Sequence, residues 1–405
     1  MGLFLVDEDT GFEYEDLLNK INTSSYYMPL LKTDALYDYF INLLTALVSN
    51  KPLILIDSDM SEEEITGLAI GKVNESVEIK KKDLLNIEEL LQAVRSSRSE
   101  ITIFTSGTTG QPKKVIHTVS SLTRSVRCNA KYEKQIWLFA YNPTHMAGLQ
   151  VFFQAFFNQN VLVNVFNKAR NTVFEMIKRY HVTHISATPT FYRLLFPVDQ
   201  FFETVQRVTL GGEKSENRLY ESIMKMFPSA KLNNIYASTE AGTLFVAKGE
   251  NFQIPVSLMD KCKIVEGELL IHKSLLGQSD SFDYKNDFYS TGDLVEWVNE
   301  TDGLFRFISR KNELINVGGY KVNPGEVEEY IVQIPDIEQA LVIGKPNSVL
   351  GNILCAEVKK NPESNLTEMD IRKYLSGKLQ DFKIPRKIKF VENFSLTRTG
   401  KLKRS

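Results

Sequence analysis

Cysteine is scarce in this chain. Its 405 residues include three cysteines, Cys128, Cys262 and Cys355, which lie far apart. No pair of them has the spacing of a zinc site or of a disulfide framework. Disulfides persist in oxidising compartments and are rare in the cytosol. The cysteine usage therefore argues against a disulfide-stabilised secreted domain and favours a reducing compartment.

Membrane and export signals are also missing. No apolar run approaches the roughly 20 residues that a membrane-spanning helix needs. The first residues lack a basic segment followed by an apolar stretch and a cleavage site. Met1-Gly2 begins a myristoylation pattern, but position 6 is Val6 instead of Ser or Thr. We therefore expect a cytoplasmic protein without a membrane partner.

An excess of one charge is absent as well, since 48 basic and 50 acidic residues give a net charge of -2. This balance provides no positive field for binding nucleic acid or an anionic surface. The composition, 43% hydrophobic and 24% charged, is that of an ordinary globular protein. The length suggests two or three domains.

The rhythm of predicted elements changes along the chain. Between about 33 and 245, helical patterns alternate with short apolar runs, which predicts largely parallel sheets covered by helices. After about 255, strands with charged edges predict antiparallel pairing. We therefore predict an α/β and α+β protein. A large N-terminal domain over 1–309 has helix-covered, mainly parallel sheets and a small antiparallel barrel-like part, and a small mobile α+β C-terminal domain spans 310–405.

A loop of hydroxyls, glycines and lysines follows the apolar run at 101–104. Its sequence is Thr105-Ser106-Gly107-Thr108-Thr109-Gly110-Gln111-Pro112-Lys113-Lys114. Glycines let backbone N–H groups approach an anion closely, and hydroxyls and lysines add donors and charge. The Walker spacing of glycine and lysine is absent. An ordinary turn is the alternative, but the preceding strand and the lysines favour phosphate binding.

Other polar clusters follow predicted strands. In the segment 236–240 (YASTE), Thr239 and Glu240 suit Mg²⁺ beside phosphates, although the pentapeptide alone is more typical of an ordinary strand exit. In the segment 289–294 (YSTGDL), Asp293 suits ribose hydroxyls, and a hairpin turn is an equal alternative. Arg310 offers a second ribose contact or is a solvated surface residue. Lys401 lies in a basic tail, which normally indicates fraying.

Taken together and in order, these segments resemble the adenylate-forming superfamily: acyl-CoA synthetases, adenylation domains of peptide synthetases, and luciferases. The resemblance extends from about residue 30 to the C-terminus. No single motif would carry it. It depends on the joint occurrence of the phosphate loop, Gly211-Gly212-Glu213, the YASTE and YSTGDL segments, the stretch from Arg310 to Glu328, and Thr399-Gly400-Lys401.

The resemblance implies a role for each matching residue. It implies that the ATP phosphates are held by Thr105, Ser106, Gly107, Thr108, Thr109, Gly110 and Lys113. It implies that the adenine is contacted by Gly211, Gly212, Glu213 and Tyr236, and the ribose by Asp293 and Arg310. The implied catalytic residues are Thr239 at the α-phosphate, Glu240 as the Mg²⁺ carboxylate, and Lys401, which the small domain carries in for the first step.

The chemistry implied by the resemblance has two steps. A small carboxylic acid attacks the α-phosphorus of ATP and releases pyrophosphate, and the acyl group then passes to a thiol. The small domain rotates between the steps about a hinge at Asn312, where Asp or Lys is usual. We expect CoA as the thiol. A stand-alone enzyme that loads the phosphopantetheine of an acyl carrier protein is one alternative, and a non-catalytic nucleotide-binding relative is another.

His145 bears on the identity of the acid and is a further candidate catalytic residue. Amino-acid-activating relatives usually have Asp at this position, which pairs with the α-amine, so His145 suits an acid without an α-ammonium group. The segment resembles acyl- and aryl-CoA ligases such as o-succinylbenzoate–CoA ligase. Simple packing of His145 beneath the loop is the alternative. Candidates for the acyl pocket wall are Phe152, Phe153, Ala187, Thr188, Pro189 and Gly211.

Two features complicate these expectations. The group Phe152, Phe153, Phe156 and Phe157 has the helical spacing that is more typical of core than of a site. The chain is also short before the phosphate loop, since the stretch around the first strand and helix is missing between Glu15 and Lys32. We therefore expect an exposed sheet edge that needs a cover, and a homodimer partner is one such cover.

Overall fold

The computed structural model describes residues 2–105, 113–213, 215, 217–248, 251–311, 313–347, 350–398 and 401–404. The chain divides into two units. Unit 1 comprises Met1–Lys261, Ile271–Tyr289 and Arg398–Gly400. Unit 2 comprises Cys262–Leu270, Ser290–Thr397 and Lys401–Ser405.

Helices occur in both units. Those of unit 1 are α1 (Tyr14–Thr23), α2 (Leu36–Val48), α3 (Glu62–Gly67), α4 (Ile87–Arg95), α5 (Val119–Leu122), α6 (Met146–Phe156), α7 (Arg170–Arg179), α8 (Pro189–Arg193) and α9 (Asn217–Met226). Those of unit 2 are α10 (Pro324–Val332) and α11 (Glu368–Ser376).

The strands of the first half of the chain are β1 (Leu3–Asp7), β2 (Thr10–Glu13), β3 (Tyr26–Tyr27), β4 (Leu53–Ile54), β5 (Val77–Glu78), β6 (Ile101–Thr105), β7 (Lys113–His117), β8 (Ile136–Phe139), β9 (Val161–Asn164), β10 (His184–Ala187), β11 (Arg207–Gly211), β12 (Lys231–Ser238), β13 (Gly242–Lys248) and β14 (Asn251–Gln253). Those that follow are β15 (Cys262–Val265), β16 (Glu268–His272), β17 (Tyr284–Lys285), β18 (Phe288–Asn299), β19 (Leu304–Arg310), β20 (Ile315–Val317), β21 (Tyr320–Val322), β22 (Ile337–Asn347), β23 (Gly351–Lys360) and β24 (Lys387–Phe390).

The main sheet of unit 1 is largely parallel. Its strands follow the order β14-β13-β12-β11-β10-β8-β9-β1-β2. The pairs from β12 through to β1 are parallel, and β13 and β2 pair antiparallel at either side. A second sheet, β4-β6-β7, combines one parallel and one antiparallel pair. Parallel neighbours need long crossovers, which the helices supply. The predicted helix-covered, mainly parallel sheets are therefore confirmed.

The N-terminal region is more complete than expected. Strand β1 extends the sheet by pairing parallel with β9, and β2 folds back on β1. Helix α1 then buries Leu17 and Ile21, and the hydroxyl of Tyr14 donates a hydrogen bond to the backbone oxygen of Asn160 at 2.9 Å. Part of the stretch between Glu15 and Lys32 therefore forms helix and strand in this chain, and its shortening relative to the family stays a prediction. A four-residue strand, β2, forms the edge of this sheet, and short edge strands limit unwanted pairing.

The aromatic group of α6 lies in the core. Phe152, Phe153 and Phe156 are 0% exposed. The ring of Phe152 stacks on Phe40 of α2, with centroids 4.3 Å apart, and meets the edge of Phe4 from β1. These contacts confirm the core interpretation. Phe152 and Phe153 are fully enclosed, so they are not surfaces against which a substrate packs, and their assignment to a pocket wall is corrected.

Unit 2 contains an α+β core. The strands β21-β20-β23-β22 form a sheet, with β24 added parallel to β23. Buried side chains of α10 and α11, including Val327, Ile331 and Ile371, pack in one cluster with those of the sheet. Helix α11 begins with the capping box that its sequence predicts. The hydroxyl of Thr367 accepts from the Asp370 backbone N–H, and the Asp370 carboxylate accepts from the Thr367 N–H.

In the described part of the chain, no helix is both long and apolar enough to span a membrane.

The core role of Phe152 predicts a large loss of stability on truncation. We expect Phe152→Ala to lower the free energy of unfolding by about 3–5 kcal/mol, because the cavity leaves several aromatic rings without partners. Denaturant unfolding is the measurement. The matched control is Phe201→Ala, whose side chain is 64% exposed and whose loss should cost under about 0.5 kcal/mol. Similar unfolding curves for the two variants would contradict the core assignment.

Candidate active site

The predicted phosphate loop is framed by an antiparallel hairpin. Thr105 and Lys113 are Cα partners at the open end of the β6–β7 pair. The intervening loop residues, including Ser106, Gly107, Thr108, Thr109 and Gly110, lie outside the described residues. On its other side, strand β7 is held by Gln278. The backbone N–H and C=O of Ile116 in β7 each form a hydrogen bond of 2.8 Å with the backbone of Gln278. The strand that the sequence predicts before these residues is confirmed.

The turn that carries Thr239 and Glu240 is bound directly to this hairpin. The backbone oxygen of Thr239 lies 2.8 Å from Nε2 of His117, the last residue of β7. The backbone oxygen of Glu240 accepts from the N–H of Gly277 at 2.8 Å. Two segments that are 122 residues apart in sequence therefore meet through this hydrogen bond. It binds the Thr239–Glu240 turn to the end of β7 that pairs with Ile101, which is the end opposite the predicted phosphate loop.

His117 is a residue that the sequence analysis missed. Burial lowers its pKa to about 4, because the charged ring is poorly solvated; the hydrogen bond to Thr239 opposes this shift and the positive charge of Arg124 adds to it. The neutral ring therefore donates from Nε2 to Thr239, while Nδ1 lies 3.1 Å from the hydroxyl of Ser121. Arg124 reinforces the same turn by donating to the backbone oxygen of Ala241 at 2.5 Å.

The predicted adenine segment follows β11. A Cβ on Gly211 would lie 2.8 Å from Cγ1 of Ile235 on the neighbouring strand, so only glycine fits here without a shift. Gly212 has φ +85°, the left-handed region that favours glycine. The carboxylate of Glu213 accepts from the backbone N–H and the hydroxyl of Thr190, at 2.9 and 3.1 Å, in the first turn of α8. Glu213 therefore also positions α8.

Tyr236 stands on β12 between this segment and the Thr239 turn. It is the Cα partner of Phe245 on β13, and the two rings stack with centroids 5.5 Å apart at 20°. This contact orients the ring that the resemblance assigns to adenine stacking.

His145 precedes α6 and belongs to a polar cluster around Asp57. Its Nε2 lies 3.1 Å from Asp57 Oδ1, which also accepts from Asn142 Nδ2 at 3.0 Å and from the hydroxyl of Thr144. Burial opposes ionisation of Asp57, but the hydrogen bond and charge of His145 and the Thr144 and Asn142 donors outweigh it, and the pKa of Asp57 is lowered. Among the described residues no partner is found for Nδ1 of His145.

The sequence analysis also missed Asp57. Its position in the chain is the only available sequence signal for a functional role. It follows the buried strand β4, where strand ends carry functional side chains in open α/β sheets. The His145 loop is tightly constrained, since a Cβ on Gly148 would lie 2.1 Å from the backbone oxygen of Asn142. The side chain of His145 is 18% exposed. Packing alone therefore does not describe His145, whose ring is held by a carboxylate and remains partly accessible.

Unit 2 contains the predicted ribose pair. The carboxylate of Asp293 accepts from Nε of Arg310 at 2.7 Å, and the two residues are Cα partners across β18 and β19. The Asp293 side chain is 6% exposed and that of Arg310 is 45% exposed. Thr291 accepts from the Asp293 N–H at 3.0 Å and donates to the backbone oxygen of Leu269 at 2.7 Å. Because β18 continues through these residues, the hairpin-turn alternative is wrong.

Lys401 lies in an ordered segment of unit 2. Its backbone oxygen accepts from the N–H of Thr397 at 2.7 Å, and its N–H donates to the Thr397 hydroxyl at 3.1 Å. Leu396 and Leu402 form an antiparallel bridge beside this pair. The alternative of a frayed basic tail is therefore wrong for these residues. Thr399, Gly400 and the predicted hinge residue Asn312 lie outside the described residues.

The residues present fit a magnesium ion that is bound partly by a ligand. Glu240 is half-buried and is the single carboxylate of its turn. No group of three or more acidic, histidine or cysteine residues that could hold a metal occurs in the part of the chain that the structure describes. Mg²⁺ prefers such sites, in which one or two carboxylates are completed by phosphate oxygens and water.

Two family models match the chain. The model for AMP-binding enzymes matches residues 45–263, and the model for the C-terminal domain of AMP-binding enzymes matches residues 326–401. Together they account for more than half of the sequence.

Individual relatives are similar at lower identity. Surfactin synthase subunit 1 from Bacillus subtilis (strain 168) is 26% identical over 78% of this chain and 10% of its own length. A mitochondrial acyl-coenzyme A synthetase from Rattus norvegicus is 26% identical, over 79% of this chain and 64% of the relative. A 2-succinylbenzoate–CoA ligase from Staphylococcus aureus (strain MRSA252) is 27% identical, over 75% and 65%. The matches thus span less than two thirds of each relative.

Solved structures share the fold over almost the whole chain. An o-succinylbenzoate CoA synthetase from Bacillus subtilis, in complex with its acyl-adenylate intermediate, has a TM-score of 0.74 at 18% identity and covers 99% of this chain and 94% of that one. MatB from Rhodopseudomonas palustris with bound ATP has a TM-score of 0.75 at 16% identity, with the same coverage. The likeness therefore includes the N-terminal residues that the sequence comparison left out.

The burial of His117 predicts a pH dependence of stability. Its folded pKa lies near 4, so the unfolded chain binds more protons between pH 4 and about 6.5, and stability falls as the pH is lowered through this range. Through His117, this fall in pH should lower the free energy of unfolding by on the order of 3 kcal/mol.

The measurement is the difference in unfolding free energy between the wild type and His117→Gln from pH 7 to 4. The difference is needed because burial also lowers the pKa of His184 to about 4. We expect the variant to lose less stability on acidification. Parallel curves would show that His117 does not stay neutral in the fold.

Proposed function

Because this chain belongs to the AMP-binding enzyme family, we propose that it is an AMP-forming acid–thiol ligase. It activates a carboxylic acid with ATP, releases pyrophosphate, and transfers the acyl group to a thiol, which is CoA in the first instance. The observation that carries the proposal is the His117–Thr239 hydrogen bond of 2.8 Å. It binds the turn of Glu240 to the same pair of strands that carries the predicted phosphate loop at its other end, so both motifs are attached to one rigid support.

The first step must bring two anions together. In this proposal Thr105 through Gly110, with Lys113, cradle the phosphates, and Thr239 contacts the α-phosphate. Glu240 would hold a magnesium ion, which would supply positive charge to the leaving pyrophosphate. The ammonium of Lys401 aligns the acid oxygen with the α-phosphorus, and such preorganised charge accounts for much of the rate.

We propose that the adenine and the ribose of the nucleotide are bound by side chains of different chemistry, one aromatic and one acidic. In the proposal Tyr236 stacks on the adenine, with Gly211, Gly212 and Glu213 along its edge, and Asp293 accepts from the ribose hydroxyls. The Asp293–Arg310 hydrogen bond of 2.7 Å supports this assignment. An Arg partner fixes the orientation of the carboxylate.

The His145–Asp57 cluster supports an acid that has no α-ammonium group. Asp57 takes the Nε2 side of the ring, and the lowered pKa of Asp57 favours an ionised carboxylate that accepts from this nitrogen. The negative charge of the cluster is therefore already paired with the ring, and His145 itself provides no carboxylate for an α-ammonium group. We therefore propose an acyl or aryl carboxylic acid, the class to which the named acids of the CoA-ligase relatives belong.

Several further assignments belong to the proposal. The functional domains divide at 309/310, and a rotation about Asn312 separates the two steps. The stand-alone loading of an acyl carrier protein's phosphopantetheine is the alternative second step. The protein acts in the cytoplasm, which its free cysteines support. It forms a homodimer, in which the edge strand β2 is the candidate contact.

Acid-dependent pyrophosphate release tests the proposal. With ATP and Mg²⁺, we expect a panel of aryl, fatty, dicarboxylic and amino acids to give release with one class of acid lacking an α-amine. Adding CoA or a phosphopantetheinylated carrier protein then distinguishes the acceptors by which thioester forms. ATP binding without release for any acid would support a non-catalytic nucleotide-binding protein instead.

Lys401→Ala tests the residue assigned to the first step. We expect adenylation to fall about 100-fold or more, since one preorganised charge contact is worth on the order of 3 kcal/mol in the transition state. ATP binding should not change. Lys373→Ala, which removes an exposed lysine on α11, is the matched control and should retain full activity. Wild-type adenylation by Lys401→Ala would remove Lys401 from the mechanism.

A further inference from the structure

An ion pair anchors the chain directly after Lys401. The guanidinium of Arg404 donates from Nη1 to Oε1 of Glu328 at 2.6 Å and from Nη2 to Oε2 at 2.9 Å. This two-bond geometry fixes direction as well as distance, which a single contact does not. Arg404 Nη1 also donates to the backbone oxygen of Val342 at 3.0 Å.

The receiving side of this anchor is a rigid part of unit 2. Glu328 lies on α10, and its carboxylate also accepts from the N–H of Val342 on β22 at 2.7 Å. The neighbouring Val327 and Ile331 of the same helix are 0% exposed. The Glu328 side chain is 16% exposed, and burial raises its pKa against the lowering influence of Arg404. The pair is therefore not one of the solvated surface pairs that contribute little.

Lys401 lies in a short hairpin that is followed in sequence by this anchor. We call residues 395–397 and 401–403 the lysine hairpin. Its arms are joined by the Thr397–Lys401 bonds, and the N–H of Lys403 donates to the backbone oxygen of Ser395 at 2.9 Å. Arg404 follows Lys401 by three residues, a distance of at most about 11 Å of extended chain. The anchor therefore restricts where the backbone of Lys401 can lie relative to α10 and β22.

We propose that Glu328 and Arg404 are positioning residues for Lys401, and that their ion pair fixes the lysine hairpin so that the ammonium is correctly aimed in the adenylation step. The inference rests on the proposed function, in which Lys401 acts in the first step and not in the second. It therefore makes a distinction between the two steps that a purely structural role does not make. A salt bridge that merely stabilised unit 2 would affect both steps to the same degree.

The test compares the two half-reactions in Arg404→Met and Glu328→Gln. Adenylation is measured by ATP–pyrophosphate exchange with the acid that the wild type activates, and the second step by thioester formation from chemically prepared acyl-adenylate and CoA. We expect exchange to fall roughly 10- to 100-fold, since a displacement of about 1 Å can cost that much. Thioester formation should change less than about twofold, because the proposed second step does not use Lys401.

Two additional variants sharpen the result. Arg404→Lys keeps the charge but loses the two-bond fork, so its exchange rate should lie between those of the wild type and Arg404→Met. Glu338→Gln is the matched control, because Glu338 is on the same strand as Val342 and pairs with Lys359 at 3.2 Å while 47% exposed. It should leave both steps unchanged. Equal losses in both steps, or no loss of exchange in Arg404→Met, would overturn the positioning role.

Hydrogen exchange keeps this inference separate from the proposed function. In the Arg404 and Glu328 variants we expect faster exchange at the amides of Thr397 and Lys403, with unchanged protection in α10. Unchanged exchange in the lysine hairpin would refute the anchor, whatever the activity. A wild type that does not adenylate any acid would refute the proposed function, and the exchange data would still decide whether the ion pair holds the hairpin.

Discussion

A buried, neutral imidazole is the constraint on which the candidate site of unit 1 depends. His117 ends the strand that follows the phosphate loop, and its Nε2 meets the backbone of Thr239 at 2.8 Å. Because protonation is disfavoured by burial, the ring keeps one acceptor and one donor and can serve Ser121 and Thr239 together. A charged side chain at this point would bring an uncompensated positive charge into the interior. The attachment of the Thr239 turn to strand β7 thus depends on the neutrality of one ring.

The sequence allowed the local features to be predicted and left the supports unidentified. The strand before the phosphate loop and the Thr367–Asp370 cap follow from patterns of short range, and the family resemblance implied that Arg310 lies beside Asp293. Other contacts join partners that are distant in the chain, and they are made by His117, Asp57 and Arg404. None of these residues belongs to a motif that predicts a contact. Such residues are isolated polar side chains in sequence, and only the tertiary structure gives them partners. The strand and the helix before residue 30 were not predicted for another reason. They are identified by their packing against β9 and the core.

Two of the ionic pairs of unit 2, Glu328–Arg404 and Asp293–Arg310, illustrate how similar chemistry can serve different ends. Each joins a largely buried carboxylate to a partly exposed arginine, so loss of the arginine would leave a poorly solvated negative charge. In the Glu328–Arg404 pair, the same carboxylate also accepts from Val342, and the same guanidinium also donates to it. Both members of the pair therefore also hydrogen-bond to the backbone of Val342. Such an arrangement suits an anchor and is poorly suited to a ligand site.

The Asp293–Arg310 pair differs in its exposure. Its carboxylate is 6% exposed while 45% of the arginine side chain is accessible, so the pair meets solvent on the guanidinium side. The strand pairing of β18 and β19 sets the distance between the two residues without help from the ion pair itself. Backbone hydrogen bonds thus orient the two charged groups. A site built on regular strands in this way is held more precisely than one built on a loop.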